Sequence, residues 1–132
     1  MTAPSLTIAR YMVTNVTTLP PDLEINHAIA LLLGKALSGA PILDESGALI
    51  GILTKKDCFK ATLNASYYQQ WGGVVSDYMS RKVETLDAGL DLLSAAQRFL
   101  DTPYRRFPVM REGEMVGLLS RSDLLRAFSE MW

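Results

Sequence analysis

One pattern occurs twice in the sequence, and this internal repeat constrains the fold more than any other feature of the chain. A shift of 67 residues aligns YMVTNVTTL, residues 11–19, with YMSRKVETL, residues 78–86. A shift of 66 aligns GILTKKDC, residues 51–58, with GLLSRSDL, residues 117–124. Each copy alone is too short to bury a strong core. We therefore expect two equivalent units that together make one compact module.

The two copies predict the same order of elements, strand–helix–strand–strand–helix. Opening strands are expected from Val16 to Leu19 and from Val83 to Leu86. In the helices that follow, the apolar residues have helical spacing and are expected to form one buried stripe. These residues are Leu23, Ile25, Ala28, Ile29, Leu32 and Leu33 in the first copy and Leu90, Leu92, Leu93, Ala96, Phe99 and Leu100 in the second.

The helix ends and hairpins are also predicted. Asp22 is the expected N-cap of the first helix, and Gly89 lies near the start of its counterpart. Each helix is followed by a hairpin with a glycine-containing turn. A closing helix is expected to start at Thr54 in one copy and at Ser120 in the other. The predicted fold class is therefore mixed α+β.

The repeats are placed at residues 8–63 and 75–130, with a linker at residues 64–74. Gly72 and Gly73 mark a break in the chain. Tyr67, Tyr68 and Trp71 are unusual in a plain linker, so we expect these aromatic side chains to pack on the module or on a partner subunit. Met12 and Met79 are equivalent in the two copies and are expected to fill matching gaps in the core.

Several classes of function are disfavoured by composition. With 13 basic and 14 acidic residues the net charge is −1, so a nucleic-acid partner is not expected. The sequence has one cysteine, no signal-peptide pattern and no apolar run near 20 residues, which favours a cytoplasmic protein without a membrane span. The single histidine, His27, is expected on a helix surface or packed. Cys58 stands beside Asp57, whose charge raises a thiol pKa. We expect no catalytic residue, no metal site and no enzyme activity.

The repeated Gly-h-h-[Ser/Thr]-x-x-Asp segment places a hydroxyl at a strand-to-helix junction and a carboxylate at the third helical position. Thr54 and Asp57 form the first set, and Ser120 and Asp123 form the second. One interpretation is a capping box. That box favours Glu or Gln, because a longer side chain reaches back to the N-cap. Asp in both copies therefore also suggests a ligand role, in which the short carboxylate accepts hydrogen bonds from a ribose diol.

The ordered set of VSDYMSRKVETL, RRFPV and the two Gly-h-h-[Ser/Thr]-x-x-Asp segments resembles the CBS domain, named for cystathionine β-synthase. The resemblance covers about residues 8–63 and 75–130. It implies an α/β-type CBS fold, in which two pseudo-twofold-related repeats form one module. Such pairs commonly bind adenine nucleotides or related adenosyl ligands in the clefts between the repeats, commonly dimerise, and regulate an effector protein. The resemblance thus implies an AMP, ADP or ATP-like regulatory ligand, a homodimer and no required cofactor.

The resemblance also implies the residues that hold the ligand. Asp57 and Asp123 would hold ribose, with Thr54 and Ser120 beside them. Cations for the phosphates would come from Lys55, Lys56, Arg105, Arg106 and Arg121. The adenine would lie near Val16, Thr18 and Ala40 in one copy and near Val83, Thr85 and Phe107 in the other. Gly39 and Ala40 stand where the second copy has Arg106 and Phe107, so the two clefts are expected to be unequal.

Two other functions are compatible with the same residues. The chain would be a ligand-free assembly module if Asp57 and Asp123 were only caps. The stretch SYYQQW and the terminal Met131–Trp132 would then be its contact surfaces. Alternatively, the ligand would be S-adenosylmethionine or NAD.

Overall fold

The computed structural model describes residues 6–131, which divide into two compact units. Unit 1 comprises residues 6–16 together with 84–131, and unit 2 comprises residues 17–83. Each unit combines helices with a small sheet, so the predicted mixed α+β class is confirmed. Within residues 6–131, we find no helix whose length and apolar character would let it cross a bilayer.

Unit 2 contains one hairpin covered by helices. Its core consists of buried aliphatic side chains from the helices and from the inner positions of the strands. The elements are α1 (Ile25–Gly34), β1 (Gly39–Leu43), β2 (Leu49–Thr54), α2 (Lys55–Tyr68) and the short α3 (Val75–Tyr78), with β1 and β2 antiparallel.

Unit 1 repeats this plan with a third strand in its sheet. The sheet order is β3–β4–β5, in which β3 and β4 are parallel and β4 and β5 antiparallel. A short 3-10 helix precedes these elements in unit 1. The bounds are Ile8–Arg10 for the 3-10 helix, Leu86–Asp87 for β3, Leu92–Asp101 for α4, Arg106–Arg111 for β4, Glu114–Ser120 for β5 and Arg121–Met131 for α5.

The hairpin turns follow the predicted glycines. In unit 1 the two-residue turn uses Glu112 at φ 50° and Gly113 at φ 84°. Positive φ at both positions is typical of the turn that matches the twist of antiparallel strands. In unit 2 Gly47 has φ 86°, and the Asp44 carboxylate accepts hydrogen bonds from the Ser46 and Ala48 amides at 2.8 and 3.0 Å. The hairpins and the closing helices that start after Thr54 and Ser120 are therefore confirmed.

The opening strands are shorter than predicted. In unit 2 only Leu19 pairs, through a parallel bridge to Ile42, and in unit 1 only β3 forms. The predicted strand residues before Leu19 and before Leu86 have no strand assignment. After Leu19 the chain continues with Pro20, which has no N–H to donate, so the pairing also ends there.

The predicted N-cap of the first helix is wrong. α1 begins at Ile25 after Glu24, and none of the described side chains caps it. Instead, the Ile25 amide donates to the Gly73 carbonyl at 3.1 Å, so a distant backbone group satisfies one of the free N–H groups. α4 starts near Gly89, as predicted, and its cap is Asp91, whose carboxylate accepts from the Ser94 amide at 3.1 Å.

The predicted apolar stripes are correct in part. The buried positions of α4 are Leu92, Ala95 and Phe99, which lie on one helical face. Leu93 and Leu100 each follow a stripe position by one residue, about 100° around the helix, and are 70% and 80% exposed. Leu33 of α1 is likewise 69% exposed. These three leucines were predicted to be buried, and they lie on the outside of their units instead.

The opening segments explain the glycine that begins each repeated motif. In unit 1, Val13 pairs with Leu118, and a Cβ at Gly117 would meet the Met12 sulfur at 2.5 Å and the Val13 carbonyl oxygen at 2.9 Å. In unit 2 the equivalent contact joins the segment 79–80 to Gly51. A Cβ at Gly51 would lie 2.6 Å from the Met79 sulfur. Met12 and Met79 therefore pack at equivalent places, as predicted.

The aromatic residues of the segment 64–74 do not pack into unit 2. α2 continues to Tyr68, so it includes the first residues of this segment. Tyr67 and Tyr68 contact each other edge to face at 5.1 Å and are 82% and 68% exposed. Trp71 is 44% exposed. Of the terminal pair, Met131 ends α5, and Trp132 lies outside the described residues.

Candidate functional site

Each unit has a strand-to-helix junction built by the repeated motif. In unit 2, β2 ends at Thr54 and the first amide of α2, from Lys55, donates to the Ser38 carbonyl at 3.0 Å. In unit 1, the first amide of α5, from Arg121, donates to the Arg105 carbonyl at the same distance. These backbone bonds hold the start of each closing helix beside the start of the preceding hairpin.

At the unit 2 junction, Thr54 and Asp57 form a reciprocal cap. The Asp57 amide donates to Thr54 Oγ1 at 3.3 Å, and Asp57 Oδ2 accepts from the Thr54 amide at 2.9 Å and from its hydroxyl at 3.0 Å. The capping-box interpretation is therefore confirmed at this junction, with aspartate in the place of the longer glutamate or glutamine. The carboxylate reaches the N-cap because the extended backbone of Thr54, at ψ 169°, brings its amide toward the helix.

At the unit 1 junction, Ser120 and Asp123 form the same pair of bonds. The Asp123 amide donates to Ser120 Oγ at 3.1 Å, and Asp123 Oδ2 accepts from the Ser120 amide at 2.9 Å. Asp57 and Asp123 are both buried, at 7% and 8% exposure. Capping thus accounts for one oxygen of each carboxylate, and Oδ1 is the oxygen that the cap does not use.

The two Oδ1 atoms differ in their charged neighbours. Asp123 Oδ1 accepts a hydrogen bond from Arg126 Nη1 at 3.1 Å. At the equivalent position in unit 2, Lys60 Nζ is 3.9 Å from Asp57 Oδ1, which is too long for a hydrogen bond. Lys60 and Arg126 were not among the predicted site residues. Sequence could have found them, because the same shift of 66 that aligns the two aspartates also aligns these two basic residues.

The predicted phosphate-binding cations are distributed unequally between the two junctions. Arg106 is the direct cross-strand partner of Ser120 in the β4–β5 pair and is half-buried. Arg105 and Arg121 are exposed and are joined by the backbone bond at the helix start. Unit 1 therefore concentrates three guanidinium-bearing residues at its junction. In unit 2, the predicted cations are the exposed Lys55 and Lys56 in the first turn of α2.

Unit 2 has no room for a cation at the position of Arg106. Gly39 is the cross-strand partner of Thr54 there. A Cβ on Gly39 would lie 2.6 Å from the Leu53 carbonyl oxygen and 3.3 Å from the Thr54 Cα, and both are backbone atoms that cannot swing away. The predicted inequality between the two copies thus has a steric cause in addition to the difference in charge.

The candidate adenine residues fall into two groups. Ala40 and Phe107 are buried, at 2% and 0% exposure. The Phe107 ring is enclosed by Phe99 at 4.9 Å, Tyr104 at 5.7 Å and the Arg98 guanidinium at 5.5 Å. Only the backbone of these two positions is therefore available for a ligand contact. The side chains of the other four candidates are half-buried; they are Val16, Thr18, Val83 and Thr85.

The division into units separates some residues that the repeat alignment grouped together. Val16 belongs to unit 1 and Val83 to unit 2, so each is in the unit of the other repeat's hairpin. The candidates of unit 1 are Val16, Thr85, Arg105, Arg106, Phe107, Ser120, Arg121 and Asp123. The candidates of unit 2 are Thr18, Ala40, Thr54, Lys55, Lys56, Asp57 and Val83.

The remaining reactive groups have ordinary surroundings. Burial raises the pKa of the Cys58 thiol, and the neighbouring Asp57 charge raises it further, so this cysteine is held as the thiol. His27 is exposed on α1, 3.7 Å from the Glu24 carboxylate, as predicted for a helix-surface histidine. Across residues 6–131, no three His, Cys, Asp or Glu side chains converge in a way that would hold a metal ion.

Comparison with known sequences finds relatives along most of the chain. Uncharacterized protein MJ1225 of Methanocaldococcus jannaschii is 30% identical over 125 residues, which are 95% of this chain and 44% of that protein. The chloroplastic CBS domain-containing protein CBSX2 of Arabidopsis thaliana is 24% identical over 86% of this chain and 58% of that protein. The chain therefore spans about half the length of these relatives.

Comparison with solved structures finds the same architecture. CBSX2 in complex with AMP superposes with a TM-score of 0.83 at 26% identity, covering 96% of this chain and 98% of that one. The CBS domain pair of protein MJ0100, in complex with 5-methylthioadenosine and S-adenosyl-L-methionine, has a TM-score of 0.77 at 22% identity with the same coverage. The family model of the CBS domain matches residues 8–64 and 75–130, which are most of the sequence. The chain therefore belongs to the CBS domain family, with two copies of the domain.

Proposed function

We propose that this chain is a regulatory module that binds an adenine nucleotide at its strand-to-helix junctions and signals its occupancy to an effector protein. The observation that carries the proposal is the repeated buried aspartate, which uses Oδ2 for the helix cap and keeps Oδ1 outside the cap. A second oxygen on a buried, fixed carboxylate is suited to accept hydrogen bonds from the vicinal hydroxyls of a ribose.

The charges around the unit 1 junction support a phosphorylated ligand. Asp123 by itself would repel phosphate, so an anionic ligand needs cations nearby. Arg106 lies across the ladder from Ser120, and Arg105 and Arg121 are linked at the helix start. The planar guanidinium groups of arginine pair well with phosphate oxygens. The N-terminal end of α5 carries a partial positive charge that adds to this preference for an anion.

The ligand of a similar protein supports the choice of nucleotide. CBSX2, which is 26% identical to this chain over nearly its whole length, has been solved in complex with AMP. We therefore propose AMP, or ADP or ATP with the same nucleoside, as the ligand. S-adenosylmethionine and NAD share the adenosine, and are the alternatives that a titration separates.

Regulation is proposed to follow from ligand occupancy. A ligand that binds two arrangements of the module with different affinity shifts their populations, by no more than that difference in affinity. A separate effector protein or another part of a longer chain would respond to the shift. A cytoplasmic location and a role without catalysis complete the proposal.

Calorimetric titration of nucleotide-stripped protein tests this function. We expect heat of binding with AMP, ADP or ATP. Asp57→Asn or Asp123→Asn should weaken this binding by about 1–3 kcal/mol for each charge-assisted hydrogen bond that the variant removes. An asparagine keeps a side-chain oxygen that can accept from the Thr54 or Ser120 amide, so both variants should stay folded. Unchanged affinity in both variants would contradict the ribose role of the aspartates. No binding of any adenosine compound would contradict the proposed function.

A second candidate, assembly with another copy of the chain, is favoured by the helix surfaces. On α2, Phe59, Leu63 and Tyr67 recur every four residues and are 68%, 71% and 82% exposed. Leu93 and Leu100 of α4 and Leu125 of α5 are similarly exposed. Contiguous exposed apolar side chains of this kind are typical of association surfaces. A second copy presents the same stripe, so a twofold dimer would bury apolar side chains against apolar side chains. Assembly and nucleotide binding are compatible in one protein.

A further inference from the structure

An open polar cavity lies at the end of α2, and the proposed function uses none of the residues that line it. Its volume is about 390 Å³, and its lining belongs entirely to unit 2. α2 contributes Asn64 and Tyr68, the loop that follows contributes Gln70, and α3 contributes Asp77 and Tyr78. Tyr68, one of the aromatic residues that are unusual in a plain linker, thus borders a concave surface.

Hydrogen bonds within unit 2 hold the walls of this cavity. The Tyr78 hydroxyl donates to the Gly72 carbonyl at 3.0 Å and accepts from Asn64 Nδ2 at 3.3 Å. Asp77 Oδ2 accepts from the Val74 amide at 2.9 Å, which fixes the carboxylate in the first turn of α3. The tyrosine and the carboxylate are therefore positioned before any ligand arrives.

Gly73 lets the loop close tightly against these two side chains. Its φ is 94°, a value that favours glycine. A Cβ at this position would lie 2.9 Å from Asp77 Oδ2 and 3.1 Å from Tyr78 Cε2. A residue with a side chain would therefore push the carboxylate or the ring out of place, so the glycine that marks a break in the sequence also shapes the cavity.

The electrostatic character of the cavity is negative. Asp77 is exposed, its Oδ1 takes no part in the α3 cap, and the ion pairs among residues 6–131 do not include it. Arg81, a basic residue close to it in sequence, donates to the Ser76 carbonyl at 3.4 Å instead. The C-terminal end of α2 adds a partial negative charge, and no basic residue stands in its last turn.

We propose that this cavity is a binding site for the primary ammonium group of a small organic amine. The charge of such a ligand complements Asp77 and the end of α2, and the faces of aromatic rings such as Tyr68 and Tyr78 attract cations. The repeat alignment places Arg10 at the position of Asp77, so the other copy carries the opposite charge there. The site is therefore a property of this segment and does not depend on the nucleotide site.

The polar groups of the lining favour a primary over a quaternary ammonium group. A primary ammonium group has three N–H donors and no acceptor. The lining offers it oxygen acceptors on Asp77 and on the carboxamides of Asn64 and Gln70. A quaternary ammonium group could use the rings but would leave these oxygens without a donor. The cavity is larger than an ammonium group, so a short alkyl chain can lie beside the Tyr68 ring.

NMR titration with n-butylammonium chloride, at ionic strength held constant with sodium chloride, tests the proposal. We expect saturable shifts of the Gly73 amide and of the Asn64 and Gln70 carboxamides. 1-Butanol has the same chain without the charge, and should cause no such shifts. Tetramethylammonium has the charge without N–H donors, and should bind more weakly than n-butylammonium.

Two variants test the walls of the cavity. Asp77→Asn should weaken binding about fivefold, as expected for an ion pair with exposed partners, and its amide oxygen can still accept from Val74. Tyr68→Leu should weaken binding about two- to fivefold, and the fold should be kept because Tyr68 is 68% exposed. Asp87→Asn is the matched control, because Asp87 is an exposed aspartate of unit 1 that also accepts from a backbone amide.

The outcomes decide the proposal. Saturable shifts at the cavity that Asp77→Asn and Tyr68→Leu weaken, and that Asp87→Asn leaves unchanged, would establish the site. Absence of saturable shifts in wild-type protein, equal shifts with 1-butanol, or unchanged affinity in both cavity variants would each overturn it. Equal affinity for tetramethylammonium would overturn the choice of a primary ammonium group.

Discussion

Arg106 and Ser120 are direct cross-strand partners at the start of β4 and the end of β5. The pairing places a guanidinium-bearing residue opposite the hydroxyl that begins the α5 cap. In unit 2, the corresponding pair is Gly39 and Thr54, and backbone atoms fill the space that a side chain on Gly39 would need. The same strand pairing thus places an arginine opposite the capping hydroxyl in unit 1 and a glycine opposite it in unit 2.

Replacing Arg106 is expected to weaken nucleotide binding selectively. Arg106→Ala should reduce AMP affinity by about tenfold or more, because a hydrogen bond to a charged group contributes about 1.5–3 kcal/mol. Adenosine, which has no phosphate, should bind the variant as it binds wild-type protein. Calorimetry with both ligands measures the difference. Arg111→Ala, at the other end of β4, is the matched control and should leave both affinities unchanged. Equal losses for AMP and adenosine would rule out a phosphate contact.

Adding a methyl group at Gly117 is expected to destabilise unit 1. In Gly117→Ala the Cβ would meet the Met12 sulfur and the Val13 carbonyl oxygen inside van der Waals contact. The opening segment would have to move, at a cost of about 1–3 kcal/mol in the free energy of unfolding. Urea denaturation measures this change. Gly34→Ala, at the end of α1 with no atom near its Cβ, should instead be neutral or stabilising. Equal stability of wild-type protein and Gly117→Ala would show that the contact is not tight.

The Asp91 cap is expected to give a pH-dependent contribution to stability. The Ser94 hydroxyl, followed by its amide, lowers the pKa of Asp91 below its ordinary value of 3.8. A lowered folded-state pKa stabilises the protein above the ordinary value, and the contribution is lost as pH falls through the folded-state value. Asp91→Ala should therefore lower Tm at pH 7, and the difference from wild-type protein should shrink below pH 3.8.

Asp22→Ala is the matched control for the cap. Asp22 is exposed and lies before Glu24, the residue that precedes α1, so its removal should leave Tm unchanged at pH 7. Thermal melts at several pH values compare the two variants. A difference between wild-type protein and Asp91→Ala that stays constant down to the lowest pH would contradict the titration of Asp91.

The exposed stripe of α2 is expected to control assembly. Leu63→Lys places a charge at the centre of the stripe and should convert a dimer to a monomer in sedimentation experiments, because a buried unpaired charge is strongly unfavourable. Leu63 is 71% exposed within the chain, so the monomer should keep its fold. Thr62→Lys, which is exposed about 100° around the helix, is the control and should leave assembly unchanged. Wild-type protein that sediments as a monomer at high concentration would contradict the dimer.

The exposure of the helix residues shows how far a periodic pattern can be followed. The spacing of Leu92 and Phe99 correctly predicted the buried face of α4. The same prediction also included Leu93 and Leu100, because the sequence does not show whether a leucine next to a stripe position faces the core or the solvent. Whether such a residue is covered depends on what packs against its side of the helix, and that is a long-range property.

The capping of the junctions is a case where the sequence left two interpretations open. A hydroxyl followed three residues later by a carboxylate predicted the helix starts correctly. That the short Asp57 side chain would also reach the Thr54 amide depended on backbone angles that the sequence does not state. The domain boundaries at residues 8–63 and 75–130, and the ligand contacts of the adenine candidates, stay predictions.

The sequence by itself determined the repeat, the hairpins, the starts of the two closing helices and the family, because these turns and caps depend on residues only a few positions apart. The tertiary structure alone decided that Met12 packs on Gly117, that Gly39 has no room for a side chain, and that Arg126 takes the second oxygen of Asp123. The first two depend on segments that are distant in sequence and meet only after folding. The third depends on side-chain reach, which distinguishes arginine from lysine at equivalent positions of two otherwise similar junctions.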